Sequence, residues 1–187
     1  MSVYRIKYSE DSFEIIDLDM FAFADIIGDE DLTLVRSQPR TNESLKSRWK
    51  SVKCNIAEEW KNKPLPAISY WGSYLIFTQK AYDVFANTLE PFGEFLPLLA
   101  EDNQLYIYNC LTFVSEDETQ CIRSYEDGYP IGFKSLAFEN SDLKDKQVFK
   151  SKLFGTHSLF ATESFKSLFT QQSMTGITFD TDLVSPF

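Results

Sequence analysis

The sequence PFGEFLPLL, residues 91–99, places a Pro-Phe-Gly turn, one carboxylate and a second proline inside an apolar run. Glu94 is therefore either a reactive group held in a dry pocket or part of the turn at which a strand begins. A general acid or base needs a positioned partner, and none is evident nearby. We favour the structural interpretation, with Glu94 at the rim of a sheet. Pro97 then predicts an edge strand or a bulge, because proline cannot donate to a central ladder.

The segments on either side of this turn carry the clearest patterns of the chain. TQKAYDVFANTLEPFG, residues 78–93, begins with a threonine suited to capping and predicts an amphipathic helix that ends at the Pro-Phe-Gly turn. FLPLL (95–99) and LYIYNCLTFV (105–114) have strand composition and are separated by a polar turn, so together they predict a hairpin. Residues 74–77, before the helix, are predicted as another strand.

The remaining segments add short strands and one more helix. VYRIKY, residues 3–8, alternates in the manner of a half-buried strand, and a second helix is predicted near residues 163–172. Residues 36–44 are rich in turn formers and are predicted as an exposed loop, whereas 44–63 fits either a helix or a bent strand. Further strands are predicted at residues 13–17, 121–125, 132–138, 146–154, 159–161 and 177–179. This order predicts an α+β fold with a largely antiparallel sheet and two main amphipathic helices.

Two domain arrangements are compatible with 187 residues. The proline pair in KPLP marks the clearest seam, which separates a small amino-terminal lobe, residues 1–63, from an α+β domain, residues 64–187. The alternative is that residues 1–63 belong to a single domain with the rest of the chain.

Charge restricts the kind of partner. The formal net charge of −10 is uneven: residues 1–31 carry −7, 32–63 carry +5, 64–130 carry −8, and 131–187 are neutral overall. Acidic regions of this kind repel nucleic acid and anionic membrane, and they attract a basic protein. The many aromatic residues, 17 Phe and 9 Tyr, suit sheet faces and flat contact surfaces. We therefore expect a protein partner, with no direct binding to nucleic acid or membrane.

The sequence predicts no cofactor, metal site or enzyme. Cys54, Cys110 and Cys121 lack CxxC spacing, so they are interpreted as reduced thiols rather than zinc ligands or a disulfide framework. His157 is the only histidine, and we interpret it as a turn residue with a solvent or backbone partner. The amino terminus lacks the pattern of a signal peptide, and no apolar run approaches the roughly 20 residues that span a bilayer. We expect a cytoplasmic protein.

Two acidic runs are the candidate partner-binding residues. The first consists of Asp29, Glu30 and Asp31, and the second of Glu116, Asp117 and Glu118. The first run does not supply the alternating oxygen ligands and central glycine of a calcium loop. Each run by itself is explained as a solvated loop, but their joint field would accelerate association with a basic partner.

Several short motifs follow one another in a recognisable order along residues 64–180. A proline-containing start precedes a strand, a threonine-capped helix, an FLP strand, a tyrosine-rich strand that ends in asparagine, a helix that starts with TE, and a TGITF strand. These features fall at Pro66, Thr78, 95–97, 106–109, 162–163 and 175–179. In this order they resemble the immunity-protein family of bacterial polymorphic toxin systems first noted in a myxobacterial protein. The start of that family often has an aspartate where this chain has Ala67.

The resemblance implies an antitoxin-like inhibitor that acts by binding, and it transfers no catalytic residues. We therefore predict an immunity protein that occludes a cognate toxin effector, expected to be basic and nuclease-like. One alternative is a small-ligand-binding protein or enzyme with a pocket lined by Tyr, Trp and Glu94. Another is an adaptor in a secretion assembly, which would bind a partner without suppressing toxicity. The sequence makes no prediction of the oligomeric state.

Overall fold

The computed structural model describes residues 1–9, 12–50 and 52–185. Residues 10, 11, 51, 186 and 187, which fall within the two predicted domains, lie outside the described residues. The helices within these ranges are α1 (Met20–Ile27), α2 (Thr33–Thr41), α3 (Gln79–Leu89) and α4 (Glu163–Gln171). The strands are β1 (Val3–Tyr8), β2 (Ile16–Asp17), β3 (Val52–Ile56), β4 (Ile68–Trp71), β5 (Tyr74–Thr78), β6 (Gly93–Ala100), β7 (Asn103–Cys110), β8 (Ile122–Glu126), β9 (Tyr129–Ser135), β10 (Val148–Ser151), β11 (Gly155–Thr162) and β12 (Ile177–Asp180).

These strands form two larger sheets and a separate hairpin. The six-stranded sheet has the order β2-β3-β6-β7-β5-β4, and the four-stranded sheet has the order β10-β11-β1-β12. Every pairing in both sheets is antiparallel except that of β3 with β6, which is parallel. Strands β8 and β9 pair with each other, outside both sheets. The predicted α+β class with a largely antiparallel sheet is confirmed.

The six-stranded sheet is covered on both faces, as β5 shows. Leu75 and Phe77 lie in a core shared with α3, α4 and the four-stranded sheet. Tyr74 and Ile76 point to the opposite face and lie in a second core together with α1. Because successive strand residues face opposite sides, a strand covered twice needs an apolar run without polar interruptions. The YLIF run supplies it.

Helix α3 follows β5 directly and confirms the predicted helix. The side chain of Thr78 accepts a hydrogen bond from the Ala81 backbone N–H, as an N-cap threonine does. Ala81, Phe85 and Leu89 form the buried face that packs into the core between the two sheets. The second predicted helix is confirmed as α4.

The prediction for Pro97 is wrong, since β6 is an interior strand without a register shift along β7. Pairing with β3 begins only at Leu98, opposite Val52. The Pro97 carbonyl accepts a hydrogen bond from the indole N–H of Trp49 at 2.8 Å. Backbone N and O of one strand residue point to the same side, so the nitrogen of Pro97 faces this indole rather than β7. The missing N–H therefore removes no ladder bond.

The predicted loop at 36–44 is also wrong, because residues 36–41 lie in α2 and Gln38 and Pro39 are buried. The turn-forming residues of this segment suggested a loop. Contacts with residues far along the chain stabilise a helix instead. Helix α1 was likewise not predicted; it starts at Asp19, whose carboxylate accepts from the Ala22 N–H at 2.8 Å. The ambiguous segment 44–63 contains a strand, β3, followed by a 3-10 helix at Glu58–Trp60.

The amino-terminal residues take part in both larger sheets. Strand β1 lies between β11 and β12, with Val3 opposite Thr162 and Ile6 opposite Phe179. Strand β3 pairs with β6 on the other sheet. Residues 1–63 therefore contribute strands to both larger sheets, and the two domain arrangements stay predictions. In the described part of the chain, no helix is long and apolar enough to cross a membrane.

Candidate functional site

The acidic run 29–31 lies where the chain enters α2. The buried Asp29 carboxylate accepts a hydrogen bond from the Val35 N–H at 2.8 Å. Asp31 accepts from the Thr33 N–H at 3.1 Å, and hydrogen bonds from Thr33 hold the pKa of Asp31 below its usual value. Glu30 is exposed. Two members of this run, Asp29 and Asp31, therefore satisfy N–H groups of the first helical turn, and Glu30 and Asp31 are exposed to solvent.

The second acidic run, residues 116–118, precedes the hairpin of β8 and β9. Glu116 accepts hydrogen bonds from Ser151 Oγ at 2.6 Å and from the Leu153 N–H at 3.1 Å. The side chain of Asp117 accepts from Thr119 Oγ1 at 2.6 Å, and such bonds lower its pKa. Glu118 is exposed. Among the described residues, no hydrogen bond or ion pair joins the two runs, and the use of either run by a partner stays a prediction.

The hairpin arm, which we define as residues 122–135, presents apolar side chains to solvent. Ile122, Tyr125, Tyr129 and Ile131 are 57%, 60%, 73% and 59% exposed, and they account for four of the nine large hydrophobic side chains that are exposed in the described chain. Water-exposed apolar groups gathered on one element mark a contact surface more often than scattered ones do. The sequence predicted strands here. It did not indicate that these strands would lie outside both larger sheets.

A cleft of about 460 Å³ lies between β2, the start of α1 and the turn from β4 to β5. Its aromatic side is formed by Phe23, Trp71 and Tyr74, with ring centroids 5.2–5.6 Å apart. The Trp71 indole N–H donates to the Leu18 carbonyl at 3.0 Å, and the Tyr74 hydroxyl donates to Gln38 Oε1 at 3.1 Å. The cleft therefore combines three packed aromatic residues from two separate parts of the sequence, and two of them, Trp71 and Tyr74, are held by hydrogen bonds.

His157 lines the same cleft and lies in β11 rather than in the predicted turn. Its Nδ1 atom is 2.6 Å from Oγ of Ser73, a side chain, whereas a solvent or backbone partner was expected. A serine nucleophile needs a histidine base that a third group orients. Among the described residues, no carboxylate forms a hydrogen bond with the His157 ring. The pair supplies a hydrogen-bonding wall without the third member of a triad.

Glu94 is buried, 5% exposed, and does not lie at a rim as predicted. Its Oε1 accepts from the Leu45 N–H at 2.7 Å and from Asn109 Nδ2 at 2.8 Å. Its Oε2 accepts from Ser44 Oγ and from the Lys46 N–H, the latter at 3.2 Å. A buried carboxylate with four donors is a structural anchor. The turn at 44–46 is thereby fixed to the six-stranded sheet.

The same network continues away from Glu94 into α2. Asn109 Oδ1 accepts from Gln38 Nε2 at 2.9 Å, and Gln38 also accepts from Tyr74. Glu94 lines a separate hollow with Tyr82 and Tyr106 and does not border the cleft that contains Trp71. The predicted pocket of Tyr, Trp and Glu94 is therefore divided between two places.

Lys150 is a buried cation, with 2% of its surface exposed. Its ammonium donates to the Pro39 carbonyl at 2.9 Å, in the last turn of α2, where the helix dipole favours positive charge. Burial lowers the pKa of Lys150 from 10.5 to about 8. The folded protein therefore holds this proton less tightly than the unfolded chain.

This difference gives a pH prediction. Between about pH 8 and 10.5 unfolding takes up a proton at Lys150, so the free energy of unfolding rises with pH in this window. We expect Lys150→Met to lose that rise relative to the parent protein in urea unfolding at pH 7, 8, 9 and 10. Lys152→Met is the matched control, because Lys152 is exposed and lies over the same Phe113 ring. Equal slopes for Lys150→Met and the parent would contradict the assignment.

The described residues hold no group of three or more His, Cys, Asp or Glu side chains that could bind a metal ion. The three cysteines are free thiols. Burial raises the pKa of Cys54 and of Cys110 to about 11 in each case, which disfavours the reactive thiolate.

Neither the models of known protein families nor the curated proteins searched contain a match to this chain. The resemblance to immunity proteins therefore stays a prediction from the sequence.

Proposed function

We propose that this protein is a non-catalytic inhibitor of the immunity-protein type, which binds and occludes a basic cognate toxin through the hairpin arm. The observation that carries the proposal is the exposure of Ile122, Tyr125, Tyr129 and Ile131 on a strand pair outside both larger sheets. The resemblance of residues 64–180 to immunity proteins indicates that the partner is a toxin. The expected location is the cytoplasm, where an immunity protein protects the producing cell.

The side chains of the arm suit the centre of a protein interface. Tyrosine is enriched among residues that dominate binding energy, because its ring buries a large area while its hydroxyl retains a hydrogen bond. Tyr125 and Tyr129 lie on either side of the Asp127-Gly128 turn, at the tip of the arm. An element that projects two such rings can enter a concave surface such as an active-site groove. This geometry supports inhibition by occlusion.

The charge around the arm indicates a basic partner. Residues 116–130 contain five acidic side chains and one basic side chain, Arg123. Glu118, Glu126 and Asp127 are exposed, so their charge is available to a partner. Exposed carboxylates beside an apolar contact raise the association rate of a basic protein, and salt screens this effect. An adaptor that binds without suppressing toxicity would use the same surface, so the test must measure both rescue and binding.

The test pairs this protein with the toxic domain of its proposed cognate effector, sought in the reading frame immediately upstream. We expect co-expression to restore growth and the purified pair to form a complex whose association slows at high salt. Tyr129→Ala should weaken binding by about 30-fold, which corresponds to the roughly 2 kcal/mol of a dominant interface residue. Tyr8→Ala is the matched control, because Tyr8 is 51% exposed but lies in β1, away from the arm.

The outcomes separate the hypotheses. Tight binding without rescue of growth would identify an adaptor instead of an inhibitor. Rescue that survives Tyr129→Ala and Tyr125→Ala together would place the contact elsewhere on the molecule. The absence of both rescue and binding would contradict the proposed function.

A further inference from the structure

We propose that the cleft between β2, α1 and the β4–β5 turn binds a small organic amine, a molecule with an aromatic or apolar body and one protonated nitrogen. This inference does not rest on the proposed function, because the cleft and the hairpin arm share no residue. Its volume of about 460 Å³ is within the roughly 300–1,000 Å³ of small-molecule sites.

The aromatic side of the cleft offers ring surfaces rather than hydrogen-bonding groups. Trp71 and Tyr74 stack with their planes 29° apart, and Phe23 meets Trp71 edge-on at 5.2 Å. The polar atoms of Trp71 and Tyr74 already donate to protein acceptors. Phe23 and Tyr74 are buried and back the half-buried Trp71, so the ring that a ligand meets here is mainly that of Trp71. An indole ring favours an aromatic body or an alkylammonium group.

The opening of the cleft is negatively charged. Glu14, Asp17 and Asp19 line it, and no Lys or Arg is found among the described residues that do so. The side chain of Asp19 accepts a hydrogen bond from the Ala22 N–H at 2.8 Å. Glu14 and Asp17 are exposed. Carboxylates beside an apolar wall attract a protonated amine and repel an anion of the same shape.

Ser73 and His157 add polar groups to the lining of the cleft. Ser73 is buried, borders the cleft, and holds the His157 ring by the 2.6 Å contact between Oγ and Nδ1. The hydroxyl and imidazole of this pair can exchange hydrogen bonds with a polar end of the ligand. A molecule with an amine at one end, a hydroxyl at the other and an aromatic ring between them matches all three surfaces.

Tyramine has this form, and two close analogues test which feature is recognised. Tyrosol replaces its ammonium group by a neutral hydroxyl, and 4-hydroxyphenylacetate replaces it by a carboxylate. We expect tyramine to bind in titration calorimetry and to change the tryptophan fluorescence of the full chain. Tyrosol should bind at least about tenfold more weakly, a difference of 1.4 kcal/mol, and the anion should not bind.

Asp17→Asn should weaken tyramine binding about 5-fold or more without affecting the fold, since this carboxylate is exposed. Asp25→Asn is the matched control, because Asp25 is an exposed carboxylate of α1 that does not line the cleft. Two results would overturn the proposal: no tyramine binding up to about 10 mM, where even a millimolar complex is visible, or equal affinity for the three compounds. Either result leaves the toxin-binding proposal standing, because that proposal is tested at the hairpin arm.

Discussion

Gly176→Ala is expected to destabilise the protein by more than about 4 kcal/mol, beyond the effect of ordinary substitutions. Gly176 has a φ of +109°, in the region that favours glycine. A Cβ atom built on it lies 1.9 Å from the Ile68 carbonyl oxygen and 2.6 Å from Pro66 Cβ. The Ile68 N–H donates to the neighbouring Thr175 carbonyl at 3.0 Å, which fixes the two backbones at this distance. Relief of the clash would separate β4 from the turn that precedes β12.

Urea unfolding at neutral pH measures this effect. Gly72→Ala is the matched control: Gly72 has a φ of +58°, and an added Cβ there would have no atom within 4 Å. The free energy of unfolding of that variant should fall by only roughly 1–2 kcal/mol, the cost of a non-glycine residue in the left-handed conformation. A similar loss for both variants would mean that β4 and the turn before β12 separate without much cost. The close approach would then contribute little to stability.

Glu94→Gln is expected to cost about 2–4 kcal/mol, the second largest loss among these predictions. The side-chain amide keeps one acceptor oxygen and places its NH₂ group where the other carboxylate oxygen lay. That group then faces either the Leu45 N–H and the Asn109 amide, or the Ser44 hydroxyl and the Lys46 N–H. At least one buried donor is then left without a partner, and it pays its desolvation penalty in full. The turn at 44–46 and its attachment to β6 should loosen first.

The control for this variant is Glu90→Gln, because Glu90 is exposed and lies four residues earlier in the chain. We expect its stability to change by less than about 0.5 kcal/mol. Hydrogen exchange at the amides of residues 44–46 would report the local loosening of Glu94→Gln. Unchanged stability together with loss of an assayable activity would instead favour the enzyme hypothesis for Glu94.

The contrast between α3 and α2 shows why some elements were predictable. The signals of α3 are local: a capping threonine, apolar residues three and four apart, and a Pro-Phe-Gly end. Those of α2 are not. Its buried Gln38 bonds to Asn109, 71 residues away, and the Pro39 carbonyl accepts from Lys150, 111 residues away. A short window of sequence contains no information about such distant partners. The turn-forming residues of this segment therefore led to the prediction of a loop.

The candidate sites divide in the same way. The acidic runs 29–31 and 116–118 are visible in the sequence, but the structure shows that four of their six members accept hydrogen bonds within the protein, three from nearby residues and Glu116 from Ser151. The strand composition of the hairpin arm was visible in the sequence, but the exposure of its side chains was not. The cleft was not visible, because its walls come from residues 14–39, 71–74 and 157.

The sequence by itself determined the α+β class, the helices α3 and α4, and the hairpin of β6 and β7. Each depends on periodicity, capping and turn residues within a short window, where the chain's own geometry decides the outcome. Only the tertiary structure decided that β6 is interior, that Glu94 is a buried anchor, and that one strand pair is left outside both sheets. Those properties depend on which distant segment covers each surface, because burial and hydrogen-bond satisfaction are settled by the packing of the whole chain.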